Sequence, residues 1–314
     1  MERSNMAQTD RPADGQTIER VRVIVNPAAG QPGEPILNVL YRVFRDADID
    51  WNVAVTHGAR DGVRLAEAAL AEDPDAVVVY GGDGTVRKVA GVLMKTDVPL
   101  AILPGGTANL FAVQMGIPRA IRRAARLIAG PHAVAPVDVG VVGDEAFVVA
   151  AGTGLIADTM EEADRDMKER IGYAAYLLSG VRRLRDLRPA AYRIELDGGE
   201  VREGNGIACL VSNTNSIGIS GVGVPAGGSN RDGLLDVILF HDIDPQTVLS
   251  VAANAVGMEE LAAPLPRWTS ARVRLEADPP QLITCDGDII GETPATIELH
   301  PGALKVITPP ARPG

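Results

Sequence analysis

Residues 76–90 read AVVVYGGDGTVRKVA, and the architecture of the chain follows from this stretch. Ala76–Tyr80 is apolar without alternation, as in a strand buried on both faces of a parallel sheet. The turn Gly81-Gly82-Asp83-Gly84-Thr85 stops it, and a helix from about Val86 to Met94 follows. Ligands of such sheets bind beyond the carboxyl ends of the strands. Glycines there let backbone N–H groups approach phosphate oxygens, and the helix start adds a favourable dipole. Asp83 cannot favour phosphate by charge. Its expected work is to bind a metal through water or to orient the phosphates through a network.

The same rhythm extends to both sides. Val21–Val25, Trp51–Val55 and Leu100–Leu103 read as further strands. Helical spacing links Ile36, Leu37, Leu40, Val43 and Phe44, covers Gly62–Leu70, and resumes near Thr107. An α/β N-terminal domain with a parallel sheet covered by helices on both faces is expected. Two more glycine-bearing turns follow strands, Asn26-Pro27-Ala28-Ala29-Gly30 and Pro104–Asn109. They could aim amides, or the side chains of Asn26, Thr107 and Asn109, at the same crevice. Taken alone, Thr107 and Asn109 equally suit helix caps. No GxxxxGK[ST] sequence occurs, so this is not a P-loop.

From about residue 136 the rhythm changes. Val137–Val142, Ala146–Ala151, Tyr192–Leu196, Ile207–Ser212, Leu234–Phe240, Arg272–Glu276, Leu282–Cys285 and Thr296–Leu299 read as strands joined mostly by short turns. They predict a mainly antiparallel, sandwich-like C-terminal domain, interrupted by a helical stretch from Asp158 to Arg188. Leu304–Ile307 is a last short strand whose pattern does not assign it to one sheet. The expected divisions are a disordered leader over 1–18, a nucleotide-binding domain over 19–135, a β-rich acceptor domain over 136–308 whose last strand could return to the first domain, and a tail over 309–314. Two GxGxxA-like patterns, at Gly152–Ala157 and Gly221–Ala226, lack the following acidic strand or carry a proline, and read as loops.

Composition narrows the partners. The chain has 314 residues, 46% apolar and 23% charged, with 34 glycines, 22 prolines and only 4% aromatics. A net charge of −11 argues against nucleic acid. Cys209 and Cys285 form no CxxC pair and the four histidines are scattered, so neither a disulfide framework nor a zinc site is expected. No signal peptide and no run of about 20 apolar residues is evident, which points to a cytoplasmic protein.

The blocks VIVNPAAG, VVVYGGDGTVRKV and LAILPGGTANLFA resemble the catalytic domain of the diacylglycerol kinase and sphingosine kinase superfamily. DVGVVGDEAFVVAAGTG, RIGYAAYLLSGVRRL, VGVPAGGSNRDGLLDVILF and CDGDIIGETP extend the likeness toward the bacterial soluble lipid kinases. It runs from about Val21 to Ile307. The resemblance implies an N-terminal fold like that of NAD kinase and diacylglycerol kinase, ATP and Mg²⁺ as cofactors, and phosphoryl transfer to a lipid hydroxyl at the inner membrane surface. It places nucleotide contacts on Asn26, Pro27, Ala28, Ala29, Gly30, Thr56, Gly82, Asp83, Gly84, Thr85, Val86, Arg87, Lys88 and Thr107. It implies a structural magnesium site at Asp232, with Ser229 and Leu234 contributing carbonyls. It makes Asp288 the general base, supported by Asp286.

By itself Asp286-Gly287-Asp288 reads as a hairpin turn. Asp288 also stands where the family usually has Glu, Arg87-Lys88 where Asn-Glu is common, and Leu110 where many members have Asp. The competing readings are an NAD kinase-like enzyme for a soluble acceptor, and a catalytically weak nucleotide- or lipid-binding protein. Arginines 119, 122, 123 and 126 recur at helical spacing, as do Arg182 and Arg185, with Lys168 and Arg170 nearby. A solvated helix face is the default reading, and docking on anionic headgroups the functional one. Exposed edge strands could also pair two copies into a homodimer.

Overall fold

A computed structural model describes residues 17–30, 35–58, 61–154, 189–214, 216–217, 224–225, 229–241 and 267–310. The helical stretch expected over Asp158–Arg188, with its YAAYLL segment and the cations Lys168, Arg170, Arg182 and Arg185, lies outside the described residues. So do the leader up to residue 16, most of the Gly221–Ala226 pattern, and residues 311–314.

The first half alternates strand and helix. In order come β1 (Arg20–Val25), α1 (Ile36–Asp46), β2 (Asp50–Val55), α2 (Asp61–Leu70), β3 (Ala76–Gly81), α3 (Asp83–Leu93) and β4 (Leu100–Pro104). The strands pair in parallel, in the order β2-β1-β3-β4. Every residue of β3 is buried, as its unbroken apolar run requires of a strand with neighbours on both edges and helices on both faces. Edge strand β2 shows partial exposure along its length instead. α2 and α3 pack together, and α1 packs with α5 (Ile121–Ala129), which follows the short α4 (Leu110–Gln114).

The second half is built on two sheets. After β5 (Ala133–Val142) come β6 (Glu145–Phe147), β7 (Ala150–Gly154), β8 (Ala190–Leu196), β9 (Val201–Gly206), β10 (Ala208–Ser212), β11 (Ser216–Ile217) and β12 (Val224–Pro225). β13 (Leu235–Phe240), β14 (Arg267–Ser270), β15 (Arg272–Asp278), β16 (Leu282–Cys285), β17 (Asp288–Glu292) and β18 (Ala295–Thr308) complete the chain. Order β14-β13-β10-β7-β16-β17 makes an antiparallel sheet. The other sheet is continuous with the parallel one: β18 pairs in parallel with β4 and antiparallel with β5 and β15, and β8 and β9 follow. One apolar core fills the space between the parallel strands and their helices, and a second lies between the sheets.

Three sequence readings need correction. Ala146–Ala151 is not one strand. The chain leaves the large sheet after Phe147 and enters the small one at Ala150, because the N–H groups of Val148, Val149 and Ala150 donate to the carboxylate of Asp286 rather than to a ladder. Thr296–Leu299 and Leu304–Ile307 are a single strand, bulged between His300 and Leu304. Gly302 supplies a left-handed φ of 59° in the bulge, and its N–H donates to Asp138. Gly152–Gly154 is strand, not loop. Gly154 has φ 68°, and a Cβ there would stand 2.2 Å from the Ile207 carbonyl oxygen.

No described helix is long and apolar enough to cross a membrane.

Candidate active site

Three turns meet at the carboxyl ends of β1, β3 and β4. Asn26 joins the first to the second: its Nδ2 donates to Thr85 Oγ1 at 2.9 Å, while its Oδ1 accepts from Ala28 N. The second and third turns touch through glycine. A Cβ on Gly106 would lie 2.6 Å from Gly82 Cα, and one on Gly105 would strike the Tyr80 ring. Gly105 N–H donates to Gly81 O at 3.0 Å. The result is a backbone-lined hollow over the start of α3, whose N-cap residue Gly82 makes no side-chain cap hydrogen bond. The start of α3 faces this hollow with its favourable dipole end, although Thr85 N–H is already turned back onto Gly82 O at 3.0 Å. Thr107 stands exposed at the rim. Thr56 is buried at the end of β2, its N–H bonded to Val25 O.

Asp83 finds its role here. Its carboxylate turns away to accept the N–H of Phe111, at 3.3 Å, in the first turn of α4. Asn109, in the N-cap position, has φ 51° and makes no cap bond. Its side chain closes the turn on Gly106 instead. An acid in the phosphate hollow is thus spent as a tertiary cap. Burial, partly countered by the N–H donors of α4, raises the Asp83 pKa.

The C-terminal half contributes the hairpin β16–β17. Asp286 and Gly287 have φ 46° and 92°, between the paired residues Cys285 and Asp288. This is the two-residue, positive-φ turn that Asp-Gly favours. Asp286 also closes the junction between the sheets, since its carboxylate accepts Val148 N, Val149 N and Ala150 N at 2.8–3.0 Å. Burial nevertheless pushes its pKa up to about 6, and nearby Asp83 adds to the rise.

Asp288 reaches across to α3. Its Oδ2 and Oδ1 lie 3.9 and 4.0 Å from where a Gly84 Cβ would be. Two cations hold one oxygen, with Arg87 Nη2 at 2.9 Å and Lys88 Nζ at 3.1 Å from Oδ2. Burial pulls the Asp288 pKa up, but Lys88 and Arg87 outweigh it and leave it below the usual carboxylate value. Arg87 is almost fully buried and is also fixed by Glu145 at 2.7 Å and by the Ala146 carbonyl. Arg87 and Lys88, expected at the nucleotide, are therefore the grip on Asp288.

The Ser229–Leu234 segment lies apart from this cluster. Asp232 Oδ2 accepts Ser229 N at 2.8 Å and Oδ1 accepts Leu234 N at 3.1 Å, while Ser229 O accepts the Asp232 N–H. The turn is largely self-satisfied and offers one carboxylate. Among the described residues no three Asp, Glu, His or Cys side chains converge on a point. Mg²⁺ usually keeps several waters and takes only one or two carboxylates, so Asp232 with the Ser229 and Leu234 carbonyls would supply part of its shell and water the rest.

Two residues escaped the sequence reading. Glu145 holds Arg87. Asp138, 2% exposed, binds Gly233 N at 2.8 Å and Gly302 N at 2.7 Å, tying the Asp232 turn to the β18 bulge. The available signal was an acid inside the apolar run PVDVGVV.

Comparison with known proteins agrees with this fold. Residues 20–142 match the diacylglycerol kinase catalytic domain, and residues 148–308 match the YegS C-terminal NAD kinase beta sandwich-like domain. A diacylglycerol kinase of Bacillus subtilis is 30% identical over 283 residues, covering 88% of this chain and 92% of that protein. A probable YegS-like lipid kinase of Pseudomonas putida is 34% identical over 275 residues, covering 86% and 89%. A crystal structure of a diacylglycerol kinase from Bacillus anthracis superposes with a TM-score of 0.78 at 27% identity, covering 95% of this chain and 99% of that one. With both domain models matched in order along one sheet-sharing fold, the chain belongs to the diacylglycerol kinase family, whose chemistry is phosphoryl transfer.

Proposed function

We propose that this protein transfers the γ-phosphoryl group of ATP to the hydroxyl of a diacylglycerol-like or sphingoid lipid, working from the cytoplasm at the inner face of the membrane. The observation that carries the reading is the carboxylate of Asp288 standing against Gly84, at the point where the C-terminal half meets the anion hollow. A phosphate seated at the start of α3 would lie beside a base from the other half of the molecule. Such a juxtaposition suits attack by a hydroxyl on the terminal phosphate.

The nucleotide phosphates are assigned to the turns holding Asn26–Gly30, Gly82–Thr85 and Thr107, where glycine permits close backbone approach. Mg²⁺ arrives with the nucleotide as part of the substrate, and no step is assigned to Ser229, Asp232 or Leu234. Asp288 accepts the acceptor's proton through Oδ1, the oxygen that Arg87 and Lys88 leave open. Asp286 holds the hairpin, and so the base, against the junction of the two sheets. A held base with a low pKa is tolerable because positioning and charge neutralisation dominate phosphoryl transfer.

The test is ATP consumption by the full chain with diacylglycerol, sphingoid bases, extracted lipids and NAD as acceptors. Turnover with a lipid and none with NAD is expected. Turnover with NAD alone would overturn the reading. Asp288→Asn should lower turnover about 10²–10⁴-fold, the usual worth of a positioned base, and leave ATP affinity intact.

A further inference from the structure

The outer faces of α1 and α5 carry features that the phosphate hollow and the hairpin do not use. Leu37 and Tyr41, one turn apart on α1, are 51% and 55% exposed and are the most exposed large hydrophobics among the described residues. The Arg45 guanidinium lies over the Tyr41 ring, 5.0 Å from its centre. α5 packs alongside α1 on the same side of the parallel sheet. It buries Ala124, Ala125 and Ile128 and turns Arg123 and Arg126 outward, with Arg119 exposed just before it. No acid occurs in α5, and the one acid in α1, Asp46, is paired with Arg45 at 3.0 Å.

A cationic face on a chain of net charge −11 is a local concentration against the overall balance. Exposed Leu and Tyr beside it make a mixed surface: a leucine that gains by leaving water, and a tyrosine suited to a region apolar at one end and wet at the other. The two stand on a helix packed against another that bears exposed arginines, a pairing of apolar and cationic groups that suits a phospholipid headgroup region. Pairing with a second copy would set these arginines against their own equivalents across a two-fold axis.

We propose that the α1–α5 face is the surface by which this protein docks on an anionic phospholipid membrane. Leu37 and Tyr41 enter the headgroup layer, and Arg119, Arg123 and Arg126 meet lipid phosphates. The proposal builds on the lipid-kinase reading, because it puts the enzyme where such a substrate is held.

Sedimentation of the full chain with phosphatidylcholine vesicles, with and without phosphatidylglycerol, tests it. Binding should require phosphatidylglycerol and weaken as salt rises. Arg123→Gln with Arg126→Gln should lower partitioning about thirtyfold, at about a fivefold loss per well-placed cation. Leu37→Ser with Tyr41→Ser should weaken binding at all salt concentrations. Both double variants alter exposed side chains, and circular dichroism would verify that they fold. Their activity on a water-dispersed short-chain diacylglycerol should match the parent. Unchanged vesicle binding in both variants would overturn the proposal, as would loss of a concentration-dependent dimer in Leu37→Ser with vesicle binding intact. The two readings fail separately. Patch-dependent vesicle binding without lipid phosphorylation leaves the docking face standing, and phosphorylation with patch-independent binding removes it.

Discussion

At the scale of single residues, the site is governed by where its carboxylates spend their lone pairs. Asp83 caps α4, Asp286 binds three amides, and Asp288 is gripped on one oxygen by Arg87 and Lys88. Lys88 is the more exposed of the two cations and is free of the Glu145 contact that fixes Arg87. Lys88→Met should therefore raise the Asp288 pKa toward the ordinary carboxylate value. The acid limb of the pH–rate profile should move to higher pH, with the fold unchanged; a limb that stays in place would show that Asp288 does not set it. Asp286 gives a prediction of the opposite sign. Its folded-state pKa of about 6 lies above the roughly 3.9 of an unfolded aspartate, so between those values the folded protein holds the proton more tightly. The stability it contributes is fully present below about pH 4 and is lost as pH rises through about 6. Unfolding free energies of the parent and Asp286→Asn, compared at pH 4.5 and 7.5, should isolate this slope from that of groups such as Asp83 that titrate in both. Its size should be on the order of 2 kcal/mol.

At the scale of elements, glycine contacts and one buried acid hold the site together. Gly106→Ala would place a Cβ against the backbone of Gly82, where nothing flexible can yield. The two turns must part, and nucleotide affinity, read by calorimetry with a non-hydrolysable analogue, should fall at least tenfold. Asp138→Ala removes the acceptor of two N–H groups, in the Asp232 turn and in the β18 bulge. Stranding them costs roughly 2–4 kcal/mol, measurable as a lower denaturation midpoint. Elements whose pattern is local were legible in the sequence: the unbroken apolar runs of β3 and β4, the turn at Gly81–Thr85, the helical spacing of α1. Those settled by distant partners were not. The break between β6 and β7 is set by Asp286, more than 130 positions away. β9, read as VREGNG, has a mostly exposed edge-strand pattern with no alternation to mark it. The same holds in the site. Gly82, Asn26 and Asp288 could be picked out by motif or resemblance, but Glu145 matters only because Arg87 comes to lie beside it.

At the scale of the whole molecule, the unexpected feature is a sheet that does not stop between the halves. The 14-residue β18 meets β15 with its first residues and β4 with its last, and β5 runs beside it across both. Buried residues Val137, Val139, Leu304 and Val306 belong to the core under the parallel strands, while Val142, Ile297 and Leu299 belong to the core between the sheets. One pair of strands therefore carries side chains into both cores, and neither core can be exposed without stripping hydrogen bonds from strands the other requires. Two separately folded units would melt separately, whereas halves joined this way should unfold together. The chain supplies its own reporters, since its two tryptophans are divided between the cores: Trp51 packs on the first and Trp268 on the second. Fluorescence of Trp51→Phe and Trp268→Phe, each followed through a urea titration alongside circular dichroism, reads the cores one at a time. After correction for each variant's own stability by circular dichroism, the two emission midpoints should coincide. If Trp268 emission changes while Trp51 remains native, β18 does not couple the halves, and the Asp288 hairpin could leave the phosphate hollow without unfolding it.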